Sequence, residues 1–118
     1  KRTFRLFLRR SNFAAGQRSG MTKPFLLTVA ARNDLLNIGR FTVKRWGNPQ
    51  RNKYLKQLDE AFRLLARQPE IGIDASGIKP GYRKFVLGSH VIFYCNGSNS
   101  KIVVVRVLHH RMDVDSHF

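Results

Sequence analysis

Basic and imidazole side chains gather in the last third of this chain, among them Arg83, Lys84, His90, Arg106, His109, His110 and Arg111. Arginine and lysine stabilise charge that develops on a phosphoryl group, and histidine moves protons near neutral pH. These types therefore supply what a metal-free ribonuclease needs. With Tyr82, Phe85 and Tyr94 close by, the same cations also fit single-stranded nucleic acid, whose bases stack on aromatic rings. Buried strand aromatics are the commoner arrangement. Other chemistries find little support. Paired carboxylates are absent from the apolar runs, because Asp113 and Asp115 follow them. His109, His110 and His117 with Asp113 or Asp115 contain no i, i+4 histidine pair on a helix and no cysteine, so no metal site is expected. Ser89 and Ser98 lack a G-x-S-x-G context, and no glycine-rich phosphate loop occurs. Cys95 sits inside an apolar run and reads as a small core residue rather than a nucleophile.

The stretch Tyr82–Asp115 must position these groups. Three short runs, Tyr82–Leu87, Val91–Cys95 and Ile102–Leu108, are rich in the β-branched and aromatic residues that suit a pleated surface. Gly88-Ser89 suits a two-residue type II′ turn, and Asn96–Ser100 a longer hairpin loop. A three-stranded antiparallel meander is predicted. A sheet with one wet face alternates apolar and polar residues, yet Val91–Cys95 and Ile102–Val105 barely do. Both faces are expected to be covered, the second either by the chain's own curl and loops or by a partner.

Upstream, Pro24–Val29 reads as a short strand, with proline tolerated at its start. Ala31, Leu35, Ile38, Thr42 and Trp46 recur at helical spacing, predicting a helix over Ala30–Trp46. Gly47 ends it as a left-handed residue, and Asn48-Pro49 reads as an N-cap followed by proline at the first helical position. The second helix runs to about Arg67, with Tyr54, Leu55, Leu58, Ala61, Phe62 and Leu65 on one face. So short a link makes an antiparallel helical hairpin. Trp46, at the hairpin turn, is expected to close over the core, with an exposed contact as the alternative. Glu70–Pro80 reads as loop. The predicted order is β-α-α-β-β-β, an α+β fold with the helical hairpin packed on the sheet.

The composition bounds the partners. A chain of 118 residues supports one domain with one modest core. It carries 22 Lys and Arg against 7 Asp and Glu, which attracts polyanions and exceeds what solubility requires. Residues 1–20 hold six of the bases and no acid, and end in a Gly/Ser/Gln stretch before Met21. They read as a basic leader or upstream read-through, with Met21 the natural start and residues 21–118 the domain. The domain then keeps 16 bases against 7 acids, a net +9. One cysteine excludes a disulfide framework and a Cys-rich zinc site, which fits a cytoplasmic protein. No apolar run reaches the roughly 20 residues needed to span a bilayer.

Four stretches carry a family resemblance: KPFLLTVAARNDL, RWGNPQRNKYLKQLDEAFRLLARQPEIG, IKPGYRKFVLGSHVIFY and VVRVLHHRMDV. Together they resemble the RelE/ParE superfamily of bacterial toxins, and within it the ParE branch, over about Thr22 to Ser116. The GYRKF…GSHVIFY pairing and the closing LHHRMD are the specific parts. The resemblance implies a ParD-like antitoxin whose flexible C-terminal segment wraps the toxin. It also implies DNA gyrase with its bound DNA as the poisoned target, with no cofactor, small-molecule substrate or catalytic residue. Ribosome-dependent mRNA nucleases of the same superfamily carry an arginine early in the middle meander strand, where this chain has Val91. His110 and Arg111 alone match their chain-end groups, so the gyrase poison is the expected branch and the nuclease the alternative. Target contacts are expected from Arg83, His90, Arg106, His109, Arg111, Met112 and Asp113. Ordinary structural roles compete: Arg106 pairing with an acid, Met112 closing the core. Antitoxin contacts are expected from Leu35, Ile38, Tyr54, Leu58, Val91 and Phe93.

Overall fold

The computed structural model describes residues 24–99 and 101–118. The basic leader and Met21 lie outside the described residues. Strand β1 (Phe25–Leu27) leads into helix α1 (Val29–Trp46), and helix α2 (Asn48–Arg67) returns antiparallel to it. A 3-10 turn (Pro69–Ile71) and strand β2 (Ile73–Asp74) follow. Strands β3 (Arg83–Leu87), β4 (His90–Asn96) and β5 (Ile102–His109) form the meander, and a second 3-10 turn covers Val114–His117. The fold is α+β, as the spacing predicts. Among the described residues no helix is long and apolar enough to cross a membrane.

The sheet has five strands in the order β1-β5-β4-β3-β2. Two of its pairings are not readable from local pattern. β1 lies parallel to β5, with Phe25 opposite Ile102 and Leu27 opposite Val104. β2, inside the segment expected to be loop, pairs with β3 through Ile73–Lys84 and Asp74–Arg83.

The helical hairpin turns on a single residue. Gly47 donates its N–H to the Val43 carbonyl, ending α1, and its own carbonyl accepts from Arg51 N–H, opening α2. Its φ of 92° and ψ of 173° lie in a region open essentially to glycine alone. The expected left-handed conformation and the expected Asn48 N-cap are both corrected: Gly47 takes both ends, and Asn48 is already helical. At the other end of α1, Thr28 is the N-cap. Its hydroxyl accepts the Ala31 amide at 3.0 Å and donates to the Val105 carbonyl at 2.7 Å, so one side chain both starts the helix and ties it to β5.

The β3–β4 turn places Gly88 at φ +57°, while Ser89 stays out of the left-handed region, the pattern of a type II′ turn. Between β4 and β5 the register slips by one. Phe93 faces Arg106 and Tyr94 faces Val104, which leaves Val105 as an unpaired bulge residue.

The core lies between the helices and one sheet face: Phe25, Ile38, Leu58, Phe62, Leu65, Ile92, Tyr94, Val104 and Val107 among others. Phe25 meets Phe62 edge-on at 5.2 Å. On the opposite face Leu26, Phe93, Val103 and Leu108 are also buried. Part of that second cover comes from the chain itself, since Phe118 packs edge-on against Phe93 at 5.1 Å and Tyr82 at 5.9 Å. Trp46 corrects an expectation. It is 63 % exposed and does not close the core.

Candidate functional site

A groove of about 700 Å³ runs between α1, the start of α2, the β3–β4 turn and the end of β5. Its floor includes Ile38, Thr42 and Val107, its polar wall Tyr54 and His90, and its rim Phe41, Trp46 and Met112. It gathers residues expected in two separate roles. His90, His109 and Met112 belong to the target-facing set, and Ile38 and Tyr54 to the antitoxin-facing set.

His90 and Tyr54 define the polar wall. The Tyr54 hydroxyl lies 2.6 Å from His90 Nδ1 and also reaches the Leu87 carbonyl at 3.3 Å. Burial, and then the neighbouring His109 and His110, lower the His90 pKa to about 4, so the ring is neutral at physiological pH. The Tyr54 hydroxyl is raised from its ordinary value, chiefly by burial. His109 sits edge-on to His90 at 5.5 Å and stacks on His110 at 4.6 Å. The turn beyond β5 is held in place by its own backbone: His110 N–H donates to Ser89 carbonyl, Met112 N–H to His109 carbonyl, and Arg111 N–H to His109 Nδ1. His110, Arg111, Met112 and Asp113 therefore project from a fixed tip, and all four are exposed.

Three expected site residues also hold the fold together. Arg106 is held by Asp34 through two hydrogen bonds of 2.8 Å and donates a third, of 2.9 Å, to the His117 carbonyl. Arg83 donates to the Gly72 carbonyl at 2.8 Å, which fastens the α2–β3 connection to the sheet. Asp113 accepts the Asp115 amide and caps the last 3-10 turn. The antitoxin-facing set divides as well. Leu58 and Phe93 are buried inside the fold, Ile38 is buried but floors the groove, and Leu35, Tyr54 and Val91 keep part of their surface. Cys95 is half-buried, and burial pushes its thiol pKa up, away from a reactive thiolate.

Sequence reasoning missed Asp34 and Tyr94 as organising residues. Asp34 had a signal, because it falls between Ala31 and Ile38 on the buried stripe of α1, where a carboxylate needs a partner. Tyr94 is fully buried; its hydroxyl donates to the Pro69 carbonyl at 2.6 Å and accepts the Gly72 amide at 2.9 Å. Among the described residues no cluster of three or more His, Cys, Asp or Glu is arranged to hold a metal ion.

The family model described as the ParE toxin of the type II toxin–antitoxin system parDE matches residues 25–114. This chain belongs to the ParE toxin family. The matched span runs from β1 through the exposed tip after β5 and so includes every wall of the groove. Among individual relatives, the ParE1 toxin of Mycobacterium tuberculosis is 45 % identical over 95 residues, covering 80 % of this chain and 97 % of the relative. The ParE1 toxin of Caulobacter vibrioides is 34 % identical over the same shares. The ParE toxin of Escherichia coli is 31 % identical over 76 % of this chain and 87 % of its own length. A solved structure described as a chromosomal ParDE toxin–antitoxin system from P. aeruginosa shares the fold, with a TM-score of 0.60 at 20 % identity over 70 % of this chain and 90 % of that one.

Proposed function

We propose that this ParE-family chain poisons DNA gyrase, so that cleaved DNA accumulates and replication stops, and that a ParD-like antitoxin neutralises it. It acts by binding, in the cytoplasm where gyrase and its DNA are found. The observation that favours a binding poison over a message-cleaving nuclease is the state of the meander cations. Val91 stands where the resembling nucleases have an arginine, and Arg106 is committed to Asp34 and the His117 carbonyl. The Arg106 guanidinium is therefore not left to stabilise a phosphorane. Arg83 Nη1 is engaged by the Gly72 carbonyl. The exposed tip, with His109 beside it and Arg111 and Met112 on it, is the surface offered to gyrase. Leu35, Tyr54 and Val91 are the expected contacts still available to an antitoxin.

The test is purified gyrase with supercoiled DNA and ATP. Linear and nicked DNA should accumulate with added toxin and decline when a ParD-like antitoxin is supplied. Undiminished supercoiling at a clear excess of toxin would sink the reading. Exposure of His110 and Arg111 together keeps the nuclease as a second reading. It predicts cuts in ribosome-bound messages that vanish in a His110→Ala, Arg111→Ala double variant.

A further inference from the structure

The groove wall and the tip after β5 are joined through one hydroxyl. Tyr54 reaches from α2 onto the β3–β4 turn, its oxygen 3.3 Å from the Leu87 carbonyl and 2.6 Å from His90 Nδ1. A single proton arrangement makes both contacts hydrogen bonds: Tyr54 O–H donates to Leu87, and His90 Nδ1–H donates to Tyr54. The two bonds straddle the turn, one on the residue before Gly88 and one on the residue after Ser89. The Ser89 backbone amide acts on the same oxygen, pulling the Tyr54 pKa down against the larger rise from burial. The turn is shaped to receive this group. Gly88 sits at φ +57°, and a Cβ there would stand only 3.2 Å from the Tyr54 oxygen.

Ser89 passes the hold on to the tip. Its carbonyl accepts the His110 N–H at 2.9 Å. The Arg111 and Met112 amides bond back to His109, inside the tip's own segment. Among the described residues, the Ser89–His110 bond is therefore the hydrogen bond that ties residues 110–112 to another element. His109, opposite His90 in the sheet register, adds an edge-on ring contact at 5.5 Å. The Tyr54 ring packs against the core, so ring and hydroxyl have separable roles. Only the oxygen reaches the turn.

We infer that Tyr54 is a positioning residue for the tip, holding it through the β3–β4 turn in the place from which it meets gyrase. The identity of that target rests on the proposed function. The coupling between hydroxyl and tip does not.

Tyr54→Phe removes the oxygen and keeps the ring. The full chain is compared with the parent by amide hydrogen exchange and in the gyrase cleavage assay. The His110 amide should exchange about tenfold faster or more, while the Val107 amide, held by Asp34, follows global stability. Gyrase-dependent DNA cleavage should fall about fivefold or more at a temperature where the variant is fully folded. Gly88→Asn tolerates the positive φ but presses its Cβ on the hydroxyl, and should give the same pattern. Tyr94→Phe is the comparison for a purely structural loss. It also strips a hydroxyl that bonds backbone groups, at Pro69 and Gly72, and should leave His110 exchange and cleavage at parent levels once folded. Unchanged His110 exchange in Tyr54→Phe, unchanged cleavage by it, or equal effects in Tyr94→Phe each overturns the proposal. Exchange is read without gyrase. A parent that provokes no cleavage sinks the gyrase reading, whereas unchanged exchange beside an active parent sinks the positioning role alone.

Discussion

Asp34 and Arg106 lie 72 residues apart in sequence and meet through two hydrogen bonds of 2.8 Å, one from Nε and one from Nη2. The side chains are only 11 % and 19 % exposed, respectively. The same carboxylate accepts the Val107 amide at 2.9 Å, just beyond the bulge at Val105. One acid thus fixes α1 to β5 at the point where the register slips. Removing it leaves a guanidinium and a backbone amide without partners in a shielded place, a loss of about 3 kcal/mol. Asp34→Ala should lower the thermal midpoint by roughly 10 °C or more in a domain of this size. Asp34→Asn should fall between, because its amide oxygen still serves Val107. Urea unfolding of Asp34→Ala, Arg106→Met and the double variant measures the coupling. Losses that simply add would show that the two residues act independently.

A second prediction concerns the connection between α2 and the sheet. Tyr94 holds it from below by bonding both the Pro69 carbonyl and the Gly72 amide. Any Cβ placed on Gly72 would collide with the Tyr94 hydroxyl and ring. Gly72→Ala therefore pushes the connection off its anchor. Tyr94→Phe strands a buried amide and a carbonyl instead, at about 1–3 kcal/mol. Both variants should be destabilised in equilibrium unfolding. Gly72→Ala placed on Tyr94→Phe should lose less than the sum, because the hydroxyl it strikes is gone.

Acidification should weaken the fold through His90. The unfolded chain takes up a proton on this ring near pH 6.5, whereas the folded chain does so only near pH 4. Between those values the unfolded state binds more protons, so stability falls as pH drops through the window and levels off below it. Allowing for partial exposure, the loss is on the order of 2 kcal/mol. Urea midpoints at pH 7 and pH 4.5 measure it, and His90→Gln should flatten the difference. An unchanged pH slope in that variant would move the effect to other groups.

The tip after β5 carries the functional prediction. Arg111 and Met112 are exposed, and among the described residues neither side chain makes a hydrogen bond or ion pair. Arg111→Ala with Met112→Ala should cut gyrase-dependent DNA cleavage tenfold or more while leaving the unfolding free energy within about 0.5 kcal/mol of the parent. Arg83→Ala should do the reverse and lose stability first, since it fastens Gly72. Equal activity of the tip variant and the parent would remove the tip from the target surface.

Local signals made the helical hairpin and the meander legible. Gly47, Pro49 and Gly88-Ser89 are turn chemistry, and the apolar spacing from Tyr54 to Leu65 needs no tertiary knowledge. What stayed hidden was non-local. The parallel pairing of β1, the short strand at Ile73–Asp74 and the bulge at Val105 depend on partners far along the chain. Arg106 looked like a target contact because its type suits phosphate, and its partner Asp34 lies in another element. Trp46 follows Ile38 and Thr42 at helical spacing and so reads as buried. Yet α1 is anchored near its start, at Thr28 and Asp34, and Trp46 lies about 18 Å further along it. There the ring rims the groove instead of the core.

The β1–β5 pairing also has a temporal consequence. Phe25, Leu26 and Leu27 line up with Ile102, Val103 and Val104, the first residues of the last strand. On a ribosome, β1 emerges early and waits through the synthesis of two helices and three strands before its partner exists. Asp34 waits just as long for Arg106, and the tip that follows β5 comes later still. The hairpin can close locally in the meantime, but the sheet edge and the groove wall cannot. The groove wall and the sheet edge therefore exist only once β5 has been synthesised, long after the helical hairpin that they pack against.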